Sequence, residues 1–239
     1  MTPQDLYKEG RLPEAITALG AEVRDNPSDA RRRTFLFELL CFAGEYARAD
    51  KQLEVLGQAG PSSEMGVMLY RSALFAERQR QDLFAKGELP KPSDTAKDAV
   101  GMLNGKSFLT LSDADPRIGA RLELFAAGNY LLLPLEHISS IQIQPPKRVR
   151  DLIWTPAAVR TSPSFKGTEL GEVLLPVLAP GSWQHLDDAV RLGRATVWEE
   201  RDGVEDFVPV GQKMWLVDDE EVPFLELRSL EFNSATVAA

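Results

Sequence analysis

The chain has one cysteine and two histidines in 239 residues. Cys41 alone cannot close an internal disulfide. It lies in the apolar run Leu39-Leu40-Cys41-Phe42 and reads as a buried thiol of a reducing compartment. His137 and His185 offer, with Cys41, no pair at metal-ligand spacing, which speaks against a structural zinc site. No Gly-x-Ser-x-Gly elbow is present, and a catalytic triad would have to draw on one of those two histidines. No stretch approaches the ~20 apolar residues that a membrane span needs, and the opening MTPQDLYKEGR carries no apolar signal segment. The expectation is a cytoplasmic protein without a membrane partner. Positive charge is short as well, with a formal net charge of -9. Residues 1–100 hold 14 Lys and Arg against 16 Asp and Glu, and residues 101–239 hold 13 against 20, so the acidity belongs to the C-terminal part. Coating nucleic acid or anionic lipid takes a basic surface that displaces counterions, so neither partner is expected. The run Arg31-Arg32-Arg33 opens a predicted helix and reads as a solvated face.

What the chain does have is a repeat. An offset of 34 residues aligns Leu6 with Leu40, Gly10 with Gly44, Leu12 with Tyr46, Ala15 with Ala49, Leu19 with Leu53 and Pro27 with Pro61. Each match has a physical job. The glycines let the chain turn between two antiparallel helices, the alanines are small where those helices approach, and the prolines end the second helix. This pattern resembles the tetratricopeptide repeat. The first unit lacks most of its leading helix, the second spans 30–61, and the third stops after one long helix near 63–85. Phe37 is large where that repeat wants a small residue, which predicts looser or shifted packing there. So short an array should lean on the rest of the chain, because repeat units bury their faces only against neighbours.

In a tetratricopeptide unit the first helix lines a concave groove. That register places Tyr7, Thr34, Glu38, Cys41 and Phe42, then Met65, Met68, Ser72 and Phe75, on or near the groove as candidate partner-binding residues. Methionines and aromatics suit a groove that receives an amphipathic helix. The plainer reading, slightly preferred, is that Met65, Met68 and Phe75 cover the following domain.

The polar stretch Lys86-Gly-Glu-Leu-Pro-Lys-Pro marks a boundary, and Ser93 followed by Asp94 predicts a capped short helix over 94–103. Beyond about 107 the period moves towards two. Strands are expected at 121–125 and 130–135, joined as a hairpin, and at 137–144, 170–178, 195–200, 205–210, 212–218 and 222–232. The fold class is α+β: a tetratricopeptide-like helical domain over 1–88, a linker and short helix over 89–106, and a mostly antiparallel β domain over 107–239.

Chemistry is harder to find. Gly101-Met-Leu-Asn-Gly105-Lys106-Ser107 looks like a phosphate-binding loop, but it has three residues between its glycines where the P-loop has four. A helix is predicted before it and a strand after it, the reverse of what converging amides require. Asp113, Asp115, Asp151, Asp187 and Asp188 would supply paired acids to a metal-dependent hydrolase, although acidic turns on an acidic domain explain them more simply. The run Asp218-Asp219-Glu220-Glu221 reads as a solvated hairpin loop.

Four phrases of the second half have a recognisable look: Asp113-Ala-Asp-Pro-Arg-Ile-Gly119, Arg150-Asp-Leu-Ile-Trp-Thr-Pro-Ala157, Leu175-Pro-Val-Leu-Ala-Pro-Gly-Ser182 and Leu192-Gly-Arg-Ala-Thr-Val-Trp198. Their order and spacing resemble the TagJ/ImpE family, the SciE-type accessory proteins of bacterial type VI secretion. The resemblance implies a cytoplasmic adaptor without catalytic activity or cofactor. Such an adaptor binds a helix at the N-terminus of the small contractile-sheath subunit and connects, less directly, to the ATPase that recycles the sheath. Within the phrases, Asp115 and Arg117 suit a salt-bridged turn. Trp154, Trp183 and Trp198 would make either an exposed aromatic anchor or, as preferred here, core contacts that staple two subdomains. A general scaffold whose acidic β domain docks a basic partner remains open and predicts steep salt dependence, whereas a helix-in-groove adaptor predicts weak dependence.

Overall fold

The structure, a computed structural model, describes residues 1–58, 61–90, 100–163, 165–167, 169–201, 203, 204 and 206–233, with 61–63 described by backbone alone. The repeat is laid out as the 34-residue offset predicts. Helix α1 (Pro3–Lys8) is the stub of a first unit, closed by a capping box in which Thr2 and Asp5 bond each other's backbone N–H. It turns at Gly10 into α2 (Leu12–Asp25). The second unit is α3 (Ala30–Phe42), whose N-cap Asp29 accepts from the N–H groups of Arg31 and Arg32, followed by α4 (Tyr46–Gly57). The third is the long single helix α5 (Pro61–Lys86).

Gly44 turns α3 into α4 with φ +69°, and a Cβ there would lie 2.4 Å from the Trp183 ring. The left-handed backbone and the ring contact both exclude a side chain. Gly44→Ala is therefore expected to lower the stability by about 2–4 kcal/mol, measured by urea denaturation. A loss below 1 kcal/mol would show that the turn and Trp183 move apart freely.

The β part is built on an eight-stranded sheet in the order β2-β1-β13-β6-β7-β8-β4-β5, antiparallel at every recorded pairing. Its strands are β1 (Gly101–Leu103), β2 (Lys106–Phe108), β4 (Arg121–Ala126), β5 (Asn129–Pro134), β6 (Ile138–Ile143), β7 (Trp154–Thr161), β8 (Gly171–Pro176) and β13 (Ser229–Phe232). A three-stranded sheet of β3 (Leu111–Asp113), β11 (Met214–Val217) and β12 (Glu220–Pro223), and a ribbon of β9 (Thr196–Glu199) with β10 (Val208–Gly211), complete it. Successive side chains of β4 serve two cores. Leu122 and Leu124 join a β-domain core that includes Ile141, Leu175 and Trp215, whereas Phe125 joins Trp154 and Leu174 in a core shared with the helices.

Several expectations need correction. Residues 101–103 are a strand, not the end of a helix, and the rest of the helix predicted over 94–103, with Ser93 and Asp94, lies outside the described residues. The glycine-lysine motif is therefore a β-hairpin: Asn104 and Gly105, at φ 51° and 81°, form the two-residue turn between β1 and β2. Its amides belong to a ladder and do not converge on a phosphate. The stretch 222–232 is two strands, because β12 pairs with β11 in the small sheet while β13 pairs with β1 and β6 in the large one. Packing at Phe37 is tight, since its ring reaches Tyr70 at 6.0 Å and Trp154 at 6.4 Å. The acidic hairpin turns at Asp218 and Asp219, both at positive φ, and Asp218 accepts from the N–H groups of Leu109 and Thr110.

Candidate functional site

The concave face of the repeat divides into a filled end and an open end. At the C-terminal ends of the first helices, the β domain occupies the groove. Phe42 is 0% exposed and Cys41 is buried, both within the shared core. Neither is on a partner-binding surface, which corrects their placement there. At the N-terminal end a groove of about 460 Å³ stays open between α3 and residues 147–150. Thr34 and Glu38 line it as the register predicts, together with Ala30, Arg31 and Phe35 from the same helix. Tyr7 stands at its edge, its ring edge-on to Phe35 at 5.6 Å.

The opposite wall exists because Pro145-Pro146 stop β6 and a 3₁₀ turn, Val149–Leu152, follows. Buried Asp151 accepts from the N–H groups of Lys147 and Arg148 and so fixes that turn against the helix. Arg150 then bridges two helices. Its guanidinium donates to Glu38 of α3 at 3.1 Å and lies 4.9 Å over the ring of Tyr70 in α5. Burial pushes the Glu38 carboxyl from 4.5 up to about 7, with Arg150 pulling the other way. A carboxyl raised on folding stabilises the native state below its unfolded value and loses that contribution as the pH rises through about 7. Glu38→Gln is accordingly expected to gain in melting temperature relative to the parent between pH 5 and pH 8. A constant difference across that range would contradict the assignment.

Met65 is 81% exposed, Met68 73% and Phe75 57%, so none of the three covers the β domain as expected. The other side of α5 does that, through Tyr70, Ala73, Leu74 and Glu77. Ser72 is half-buried, facing Gly128 in the β4–β5 turn. Asp115 and Arg117 form the expected salt-bridged turn at 2.6 Å, and Arg117 lies over the Phe84 ring of α5. Trp154 is 1% exposed, at the centre of the shared core, whereas Trp198 is 36% exposed on β9, which corrects its reading as a core residue.

Sequence reasoning did not anticipate a buried charge network that joins the two halves. Arg80 of α5 donates to both oxygens of Glu123 on β4, to Glu77, and to the carbonyl of Leu178. Lys213 pairs with Glu123 and Asp113, Tyr130 donates to Glu123, and Trp154 Nε1 donates to Glu77. Burial drives the Asp113 carboxyl up to about 6 against the pull of Lys213. Each of the acids considered for hydrolysis has a partner in the fold. Asp113 and Asp115 hold cations, Asp151 caps its turn, Asp187 caps the short helix α6 (Asp188–Arg191), and Asp188 accepts from Leu12 N–H at the start of α2.

The four sequence phrases converge on this same seam. Arg117 touches Phe84; Arg150 and Trp154 touch Glu38, Tyr70 and Glu77; the Leu178 carbonyl and Gly181 N–H meet Arg80 and Gln81; Arg194 donates to the Tyr7 and Lys8 carbonyls. A profile of the ImpE protein family matches residues 105–231, more than half of the chain. The type VI secretion system accessory component TagJ of Pseudomonas aeruginosa is 32% identical, over 98% of this chain and 92% of its own. The chain belongs to the TagJ/ImpE family of type VI secretion accessory proteins. A crystal structure of a Vibrio parahaemolyticus protein, 26% identical, superposes with a TM-score of 0.85 over 97% of both chains, helical repeat included. Among the described residues no helix is long and apolar enough to cross a membrane.

Proposed function

We propose that the chain is a non-catalytic cytoplasmic adaptor of type VI secretion that takes up the N-terminal helix of the small contractile-sheath subunit on the open end of its concave face. The observation that supports this most is the open groove between α3 and residues 147–150. On α5, Met65 and Met68 are uncovered. A helix laid along a short repeat needs an open trough and adaptable apolar side chains that repack around anchors. Assistance to sheath assembly or recycling follows from holding that helix, and any link to the recycling ATPase runs through the sheath subunit.

Calorimetry with the full chain and a synthetic peptide of the sheath subunit's N-terminal helix tests the reading. Binding tighter than about 100 μM is expected, with loss on Phe35→Ala. Absence of binding at high micromolar concentration sinks the adaptor reading.

A further inference from the structure

The open groove and the exposed row of α5 differ in chemistry. The 34-residue offset matches Arg31 with Met65, Thr34 with Met68, Phe35 with Leu69 and Glu38 with Ser72, and in the fold Glu38 meets Arg150 while Ser72 meets Gly128 of the β4–β5 turn, so both rows include a residue turned toward the β domain. Arg150 links the two helices, bonded to Glu38 of α3 and stacked on Tyr70 of α5. On the α3 side, Arg31, Lys147 and Arg148 are exposed lining residues, and among the described residues none has a carboxylate within ion-pair distance. Arg11, Arg32, Arg48 and Arg71, elsewhere on the helices, each have one, whereas Arg24, Arg33 and Arg78, like the three rim cations, have none among the described residues. On the α5 side, Met65, Met68 and Leu69 are exposed and apolar. In a chain of net charge -9, three cations without a carboxylate at ion-pair distance among the described residues, gathered at the rim of one groove, run against composition.

We infer that this face selects an amphipathic helix with carboxylates along one edge and apolar anchors along the next. The carboxylates meet Arg31, Lys147 and Arg148, and the anchors lie on Met65, Met68 and Leu69. Side chains three and four residues apart share a helix edge, so Asp or Glu at that spacing reaches the basic wall while the neighbouring edge faces the methionines. The inference deepens the adaptor reading and rests on it. It also replaces the weak salt dependence expected from the sequence: the charged rim steers encounter and screens with salt.

The test uses the full chain and two synthetic 20-residue amphipathic peptides, labelled for fluorescence anisotropy. They share one apolar edge and carry either glutamates or lysines along the adjacent edge. The glutamate peptide is expected to bind about tenfold tighter and to weaken several-fold between 50 and 300 mM salt. Arg31→Glu with Arg148→Glu reverses the preference, and Met68→Asp weakens both peptides. Unchanged melting temperatures show the variants fold, and Lys147→Gln, a milder change, lowers the preference without reversing it. Equal binding, preference for the lysine peptide, binding of neither, or self-association that competes with the peptide overturns the inference. A sheath-helix peptide that binds whatever its charge sinks this assignment alone. One that fails to bind sinks the adaptor reading.

Discussion

Arg80→Ala is expected to destabilise the protein by about 3–5 kcal/mol and to lower helical and β-sheet signals together in one transition. Arg80 is buried and satisfies Glu123, Glu77 and the Leu178 carbonyl from a single guanidinium. Removing it leaves Glu123 with Lys213 as its one cation beside the Tyr130 hydroxyl, and leaves Glu77 with the Trp154 N–H and Gln81. Unpaired buried charge is what makes such losses large. The acid side carries a second signature. Burial raises the Glu123 carboxyl, but Arg80 and Lys213 outweigh it and hold the group well below the ordinary range. A depressed carboxyl stabilises the native state above its unfolded value, about 4.3, and loses that contribution as the pH falls. The deficit of Arg80→Ala should therefore shrink on acidification. Denaturation followed by circular dichroism and tryptophan fluorescence at pH 7 and pH 4 decides it. Separate transitions for the two signals, or a deficit that grows in acid, would show that the halves are not joined through this residue.

Trp154→Ala is expected to cost a further class of interaction, about 3–5 kcal/mol. The ring lies 6.4 Å from Phe37, 6.5 Å from Tyr70 and 6.5 Å from Phe125, so it touches α3, α5 and β4 at once. Truncation opens a cavity where helices and sheet meet, and neither side can collapse without moving the other. Trp154→Phe separates packing from bonding. It refills most of the space but strands a Glu77 oxygen, which costs about 1–3 kcal/mol. Equal losses for the two variants would mean that the indole N–H, not the ring, carries the effect. Because Glu77 also bonds Arg80, the two sites should be non-additive in a double-mutant cycle.

The repeat was legible because its positions are constrained locally. Gly10 and Gly44 need left-handed backbone, Ala15 and Ala49 sit where helices touch, and all four stand at fixed intervals. The hairpin of β4 and β5 and the alternation of β6 were legible for the same reason. Strand β7 was not. Its Trp-Thr-Pro start reads as a turn, yet Pro156 lies just beyond the last β6 pair, Ile143 with Ala157, and faces β8 on its other side. The missing N–H therefore removes no ladder bond with β6. Strands of three residues such as β1 and β3 carry too few side chains to show a period.

The site was half legible. The register named Thr34 and Glu38, but Cys41 and Phe42, one turn beyond Glu38, are covered by a domain whose position no helical period encodes. Lys147, Arg148 and Arg150 come from more than a hundred residues away. The buried acids and bases, Arg80 with Glu123 above all, looked like surface charge because a lone sequence shows no partner across 43 residues.

The end of α1 and the start of α2 are capped from the far end of the chain. Asp188 closes the start of α2 at Leu12, and Arg194 takes up the carbonyls that end α1. Helices this short are marginal in isolation. On the ribosome, α1 and α2 thus emerge long before the groups that complete them, and their final docking waits until residue 194 has been made. The helical repeat is consequently no transplantable module: moved to another host without residues 188–194, it would lose both helix ends along with its core.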